Sequence, residues 1–501
     1  MKRYLPSKFT VITLLTLLAI PVGLAAQQPR YKLIDLGTFG GPSDIVDGPT
    51  VPIISSNGTY AGAAETSIPD PFAPFCQNGD CLVQHAQEWQ DGVVTDLGTL
   101  PGVNLSSGAT WVSTNGTIAG ASENGRIDPL LGIPEMRAVL WTKDGHIINL
   151  GTLGGGYESF APAVNDLQQV AGWSLNRVPD PFSMVGGSTQ TRGFLWEHGV
   201  KRDLGTLGGP DALPEAMNDL SQIVGTSYTN AMPNPINGFD CPPNVPTTDP
   251  FFWQKGEMVD IGTLGGTCGV ANFINSGGQV VGTSNLAGNQ THHALVWDRG
   301  ALKDLGTLGG NNSEALWISD SGLVVGRSDF SLQSADHHAF LWKNSVMTDL
   351  GVLGSCLHST AYSVNSEGQV VGDTGDCPNG GGPSFFSEGG QQMVDINILV
   401  LPGSDIEVVD AFDINDRGEI AGGGILPNGD YHAVLLIPAS HEEIAAATAF
   451  NVSQPASTAV HTLVRNSESS FSGGRDRALN MFRRTTELNR YHIPGMEALD
   501  R

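Results

Sequence analysis

The chain has 501 residues, 40% of them apolar and only 15% charged, with 65 glycines and 30 prolines. A disordered chain inverts that balance, and a formal charge of −26 repels phosphate backbones, which argues against nucleic acid as a partner. Length alone would mean several domains, but a short repeating unit shares one continuous core and removes that inference.

Residues 1–26 read as a signal peptide. Lys2, Arg3 and Lys8 supply the positive start, residues 11–20 an apolar run, Pro21 and Gly23 the break, and Ala25 and Ala26 the small residues of a cleavage site. The run is short for a bilayer span and no second long apolar stretch follows. The expectation is a secreted or periplasmic protein without a transmembrane anchor in the mature chain.

From there three motifs recur in fixed order. An Asp-Leu-Gly type strand end starts at Asp35, Asp96, Asn149, Asp203, Asp260, Asp304, Asp349 and Asp395. Glycine stands two positions later in the first seven copies and Asn397 in the eighth. Both types tolerate positive φ, so a sharp exit from the strand is expected at each.

The second motif opens at Ser55, Ser113, Asn165, Asn218, Asn275, Ser319, Asn365 and Asn415, with Gly, Gln168 or Ser221 three residues on. That is the pattern of a type I turn joining two antiparallel strands. The following apolar run ends at Gly62, Gly120, Gly172, Gly225, Gly282, Gly326, Gly372 and Gly422. Glycine kept at one strand position implies a bulge or a close backbone approach. The third motif is an apolar strand that ends in Trp89, Trp141, Trp196, Trp253, Trp297 and Trp342, then Ser387 and Leu436, where large rings pack between neighbouring sheets.

One unit therefore holds four strands, two from the hairpin, one ending in Trp and one ending in Asp-Leu-Gly. No helical period appears inside it. The predicted fold is all-β, a β-propeller over residues 27–438, with eight four-stranded blades favoured and seven the alternative. Residues 31–36 form a lone fourth strand with no unit before it, and residues 432–437 a third strand with no fourth after it. Pairing the two closes a ring and covers an exposed edge.

At these residues the chain resembles the HAF family of extracellular bacterial repeats, named for His-Ala-Phe. His338-Ala339-Phe340-Leu341-Trp342, Asp304-Leu305-Gly306-Thr307-Leu308-Gly309-Gly310 and Asn275-Ser276-Gly277-Gly278-Gln279-Val280-Val281-Gly282 carry the match. The resemblance covers roughly residues 31–437 and implies an exported bacterial protein. It transfers no activity and no catalytic residue. Units 1, 4 and 7 depart from the pattern most in the third strand.

In such a blade the first–second and third–fourth turns share one face, while the second–third loops and inter-unit connections share the other. The turns are short and uniform, whereas the second–third loops range from residues 63–84 in unit 1 to 283–292 in unit 5. Recognition is expected on the variable face. Its loop aromatics, Phe72, Phe75, Trp173, Phe182 and Phe239, are candidates to stack on a glycan or anchor a protein.

All six cysteines map there too. Among 15 connectivities the expected disulfides are Cys76–Cys81, Cys241–Cys268 and Cys356–Cys377. His85, His293, His338 and His432 hold the repeat position and read as structural. Neighbouring His292 and His337 point to the opposite side of their strands, so no metal site and no cofactor is expected. Asp413, Asn415 and Asp416 approach a calcium-loop pattern, but Arg417 stands in a ligand position and the turn reading wins. Catalytic residues are unknown, since no Gly-x-Ser-x-Gly, HExxH or P-loop occurs.

Residues 439–501 read as a polar, flexible C-terminal tail with a short helix near residues 475–489. The leading functional expectation is a binding or scaffolding propeller for an unknown protein or glycan. A carbohydrate-active lyase or hydrolase, and a cell-surface adhesion protein, are the alternatives.

Overall fold

The computed structural model describes residues 28–453, except 46–50, 74–80, 186–188, 237, 239–242, 334–335 and 379–381. The signal-peptide reading and the expected helix near residues 475–489 lie outside the described residues.

Unit 6 shows the plan. Strands Ser313–Ile318, Val324–Asp329, His337–Lys343 and Val346–Asp349 pair in sequence order, each antiparallel to the next. Five more units repeat it as separate four-stranded sheets. The remaining eight strands form two further groups of four. One comprises Gly40–Ile45, Tyr60–Pro69, Leu82–Gln90 and Val93–Gly98. The other comprises Glu407–Ile414, Ile420–Ile425, Tyr431–Pro438 and the amino-terminal strand Tyr31–Asp35. Tyr31–Asp35 runs antiparallel to Tyr431–Pro438, in a register that sets Tyr31 opposite Pro438 and Asp35 opposite Val434. The fold is a β-propeller.

Each recurring residue type has a visible cause. The turn amide three residues beyond the first Ser or Asn donates back to its carbonyl, as from Gly58 to Ser55 at 3.0 Å. That fourth residue sits at positive φ even where it is Gln168 or Ser221, both at +58°. In units 2 to 8 the inner strand carries one extra residue beside the kept glycine. A Cβ on Gly120, Gly225, Gly282, Gly326, Gly372 or Gly422 would strike a carbonyl oxygen of that bulged strand. The bulge requires glycine opposite it.

The Asp-Leu-Gly aspartates cap turns. Asp35, Asp96, Asp203, Asp260, Asp304 and Asp349 each accept the amide two residues on, at 2.7–2.9 Å. The following glycines lie at positive φ, but Asn397 does not. Instead the chain enters a short 3-10 helix, Ile396–Leu399, and the Asn397 amide group exchanges two hydrogen bonds with the backbone of Val408. Asn397 is there to pair a backbone, not to adopt a left-handed turn.

One apolar core runs through units 2 to 7 and includes Trp196, Phe251, Trp253, Phe340 and Phe385. Beyond Pro438 the described part of the tail is an α-helix, His441–Ser453, placed earlier in the chain than the short helix expected near residues 475–489. Ser440 accepts the Glu443 amide through Oγ, while the Glu443 carboxylate accepts the Ser440 amide, a reciprocal cap that starts the helix.

Candidate functional site

The strand order puts the second–third loops and the inter-unit connections on one face. Three of those loops begin alike, at Asp70-Pro71, Asp128-Pro129 and Asp180-Pro181. Each aspartate is buried and its carboxylate accepts the amide two residues on, at 2.8, 2.7 and 2.9 Å. The loops are thereby held by buried acids rather than left as free excursions.

The loop aromatics are not the exposed groups. Trp173 is 4% exposed and stacks on Phe160 at 5.8 Å, because it lies within strand Val170–Pro179 rather than beyond it. Phe72 is half-buried. So is Phe182, which packs against the cluster of Trp173, Met184 and Tyr228 while its carbonyl accepts the Tyr228 hydroxyl. Phe75 and Phe239 lie outside the described residues. Exposed large apolar side chains on this face include Met232 at 74% and Ile236 at 41% in unit 4, and Leu332 at 64% and the ring of Phe330 at 37% in unit 6. In units 1 to 3 they are all aliphatic: Ile68 at 38%, Val103 at 80%, Ile127 at 48%, Leu130 at 57% and Val178 at 50%. The aliphatic residue at the Phe72 position of unit 2, Leu130, was the sequence signal for them.

Cys356 and Cys377 form a disulfide, Cα to Cα 4.0 Å, as expected. Cys81 and Cys268 are also disulfide-bonded. Cys76 and Cys241 lie outside the described residues.

The same face carries a repeated imidazole–carboxylate contact between the third and fourth strands. His85, His293, His338 and His432 meet Asp96, Asp304, Asp349 and Asp35 at 2.8–2.9 Å. Burial opposes ionisation of Asp35, Asp96 and Asp349, but the imidazole and the capped glycine amide outweigh it and hold these carboxyls below the usual range. Arg192 makes the equivalent contact to Asp203 through two nitrogens. In unit 4 the position holds Asp249, where burial first and then Asp260 push the carboxyl up to about 7. His292 turns to Glu314 while His293 faces Asp304, as strand alternation requires. Among the described residues no three His, Cys, Asp or Glu side chains are placed to hold a metal ion.

The opposite, turn-bearing face holds a feature that repeat spacing did not reveal. A cavity of about 180 Å³ is lined by inner-strand and turn residues of all eight units. Trp111, Phe273 and Trp317 lie in it, their rings stacked 5.9 and 3.9 Å apart, so units 2, 5 and 6 meet across the axis. Turn asparagines pass hydrogen bonds around it: Asn165 to Asn218, Asn218 to Asn275, Asn275 to Ser319, Asn365 to Asn415 and Asn415 to Ser55. Asp413 accepts the amides of Ile53 and Ile54 and the Ser363 hydroxyl, and its burial pushes the carboxyl up to about 6. The calcium-like pattern at residues 413–418 is thus consumed by contacts between units.

The second turn residue is aspartate in four units. Asp166, Asp219, Asp320 and Asp416 each accept a backbone amide from the preceding unit's turn at 2.8–2.9 Å. Those bonds fix a ring of carboxylates round the mouth. Burial, moderated by an amide bond, and then the nearby charges of Asp166 and Asp320 raise the carboxyl of Asp219. The signal was present in the sequence as one acidic position repeated four times.

Fold and faces together define a repeat propeller with one variable face, one uniform face and an acid-rimmed cavity on the axis. No protein-family model and no curated protein matches the chain. Among solved structures it is similar to a puromycin-hydrolysing peptidase of Mycobacterium tuberculosis, at 11% identity and TM-score 0.41, over 80% of this chain and 61% of that one. It is also similar to the propeller domain of the trilobed protease of Pyrococcus furiosus, at 9% identity and TM-score 0.35, over 66% and 92%. A gluconolactonase of Xanthomonas campestris aligns at 9% identity and TM-score 0.30, over 81% and 100%. The chain thus spans about three fifths of the peptidase, and these likenesses concern the fold alone.

Proposed function

We propose that the chain is an exported, HAF-type, eight-bladed ring that acts as a binding or scaffolding protein and engages a protein partner through its loop face. The observation that carries this is the run of exposed aliphatic side chains, Ile68, Val103, Ile127, Leu130 and Val178, on three consecutive units. Apolar side chains gathered on one face of a rigid frame mark a protein surface. A glycan needs an exposed aromatic ring to stack on; Trp173 offers none, and the exposed ring of Phe330 lies in unit 6, already stacked on His338.

The test pairs a glycan array with calorimetry against proteins of the same exported fraction. A partner should bind with a negative heat-capacity change. Leu130→Asp combined with Val178→Asp should weaken it by about tenfold or more, the loss of roughly 1.4 kcal/mol at an apolar contact. Tight glycan binding that ignores both substitutions overturns the reading.

A second reading, a carbohydrate-active enzyme, is favoured by one pair. Asp249, whose carboxyl is pushed up to about 7 by burial and then by Asp260, has the character of a general acid next to a carboxylate. Bond cleavage abolished by Asp249→Asn would establish it.

A further inference from the structure

The axial cavity and the end of the chain lie on the same face. Strand Tyr431–Pro438 runs toward the turn side, and Pro438 rests beside Gly418 in the turn of unit 8. The helix His441–Ser453 starts there, and 48 residues follow it. Those residues have a charge character unlike the rest of the chain. Arg475, Arg477, Arg483, Arg484 and Arg490 stand within sixteen positions against only Asp476 and Glu487, with Leu479, Met481 and Phe482 among them.

The mouth is complementary on two counts. Asp219, Asp320 and Asp416 line it, exposed, each with a carboxylate held in place by a neighbouring unit's amide. Beside them Leu167 and Leu220, at 55% and 56% exposure, crown adjacent turns and leave apolar surface in water. We infer that the acid-rimmed mouth is the docking surface for the chain's own arginine-rich segment, residues 475–490, with guanidinium groups on the rim and Phe482 toward the leucines.

Reach is no obstacle. The 21 residues between Ser453 and Arg475 span up to about 70 Å when extended. A blade of four strands is only about 20 Å across at ~4.8 Å per strand. Guanidinium donates strongly to carboxylates. Asp219 and Asp320 accept their amide through Oδ1, which leaves Oδ2 for a guanidinium, while Asp416 also takes the Ser366 hydroxyl on Oδ2. The inference is independent of the loop-face reading, because it concerns the opposite face.

The experiment uses the full chain with Phe482 replaced by photoreactive benzoylphenylalanine. Irradiation followed by peptide mapping should give intramolecular adducts on residues 165–167, 218–220 and 319–321. Yield should fall about fivefold near 0.5 M salt, where the screening length drops to a few ångströms. Asp219→Asn with Asp320→Asn should lower it similarly at low salt, while an unchanged thermal midpoint shows the fold intact, since an asparagine oxygen still accepts the amide. Adducts on the loop face, adducts between two molecules, no adducts, or a yield indifferent to salt and to both substitutions would each overturn the proposal.

Discussion

His432 Nδ1 stands 2.8 Å from Asp35 Oδ1, joining strands whose partners lie 397 positions apart in the chain. The same pair inside unit 6, His338 with Asp349, spans only 11 positions. Identical chemistry thus serves once as a local contact within a blade and once as the clasp between the two ends of the propeller.

Asp35→Ala removes both the imidazole partner and the acceptor of the Gly37 amide. The expected loss is roughly 1–3 kcal/mol. Hydrogen exchange should quicken at the amides of Tyr31–Asp35 and stay unchanged in units 3 to 6. Equal exchange in both regions would show that the clasp does not hold that strand.

Glycine replacements separate two roles. Gly326→Ala places a methyl against the carbonyl of Glu314 in the bulged inner strand. A loss of about 2–3 kcal/mol is expected, the usual range for overpacking. Gly92→Ala meets no atom within 4 Å and offends only the positive φ of +86°. About 1–2 kcal/mol is expected there. Denaturant melts that rank the two in reverse would remove the bulge as the reason for the repeated glycine.

Stability should rise as the medium is acidified from pH 7 toward pH 5. Above pH 7 Lys201, pushed down to about 7 by burial and then by Arg137, acts in the opposite sense. Burial is the first cause that pushes up Asp211 to about 8, Asp249 to about 7 and Asp413 to about 6, and Asp180 adds to the effect at Asp211. A carboxyl that holds its proton more tightly when folded contributes fully below its unfolded value and loses that contribution as pH rises through its folded one. Asp35, Asp96 and Asp349 act in the opposite sense, and their share fades only in stronger acid. Asp211→Asn should make the midpoint-against-pH curve less steep between pH 5 and 7. A midpoint that climbs as pH rises from 5 to 7 would contradict this account.

The Cys356–Cys377 bridge spans 21 positions. Cys377→Ser should lower stability by about 2–4 kcal/mol, since the crosslink restricts the unfolded chain. Calorimetric scans of the variant, with the wild type as reference, read this directly.

Turn chemistry and periodicity were legible because each follows from backbone demands within one unit. Gly326 faces a bulge made by its own hairpin partner, and Asp304 caps its own turn. What depends on neighbours was harder to see. Asn275 is a good turn residue alone, yet its side chain also reaches the carbonyl of Ser319 in the next unit. Trp173 looked like a loop aromatic because the strand containing it extends to Pro179, past the point where the apolar run ended. The helix after Pro438 did carry a signal, Ser440 three residues before Glu443 ahead of an alanine-rich stretch. That signal is local and stands outside the repeat, which stops at Pro438. The acidic rim needed all eight turns assembled before four scattered aspartates became one feature.

Because Tyr31 lies directly opposite Pro438, both termini of the propeller emerge from adjacent strands of a single sheet. Such a molecule has no architectural beginning. A short linker could splice those ends, and the polypeptide could be reopened at another junction, such as the stretch between Asp260 and Gly265, giving a circular permutant with every sheet complete.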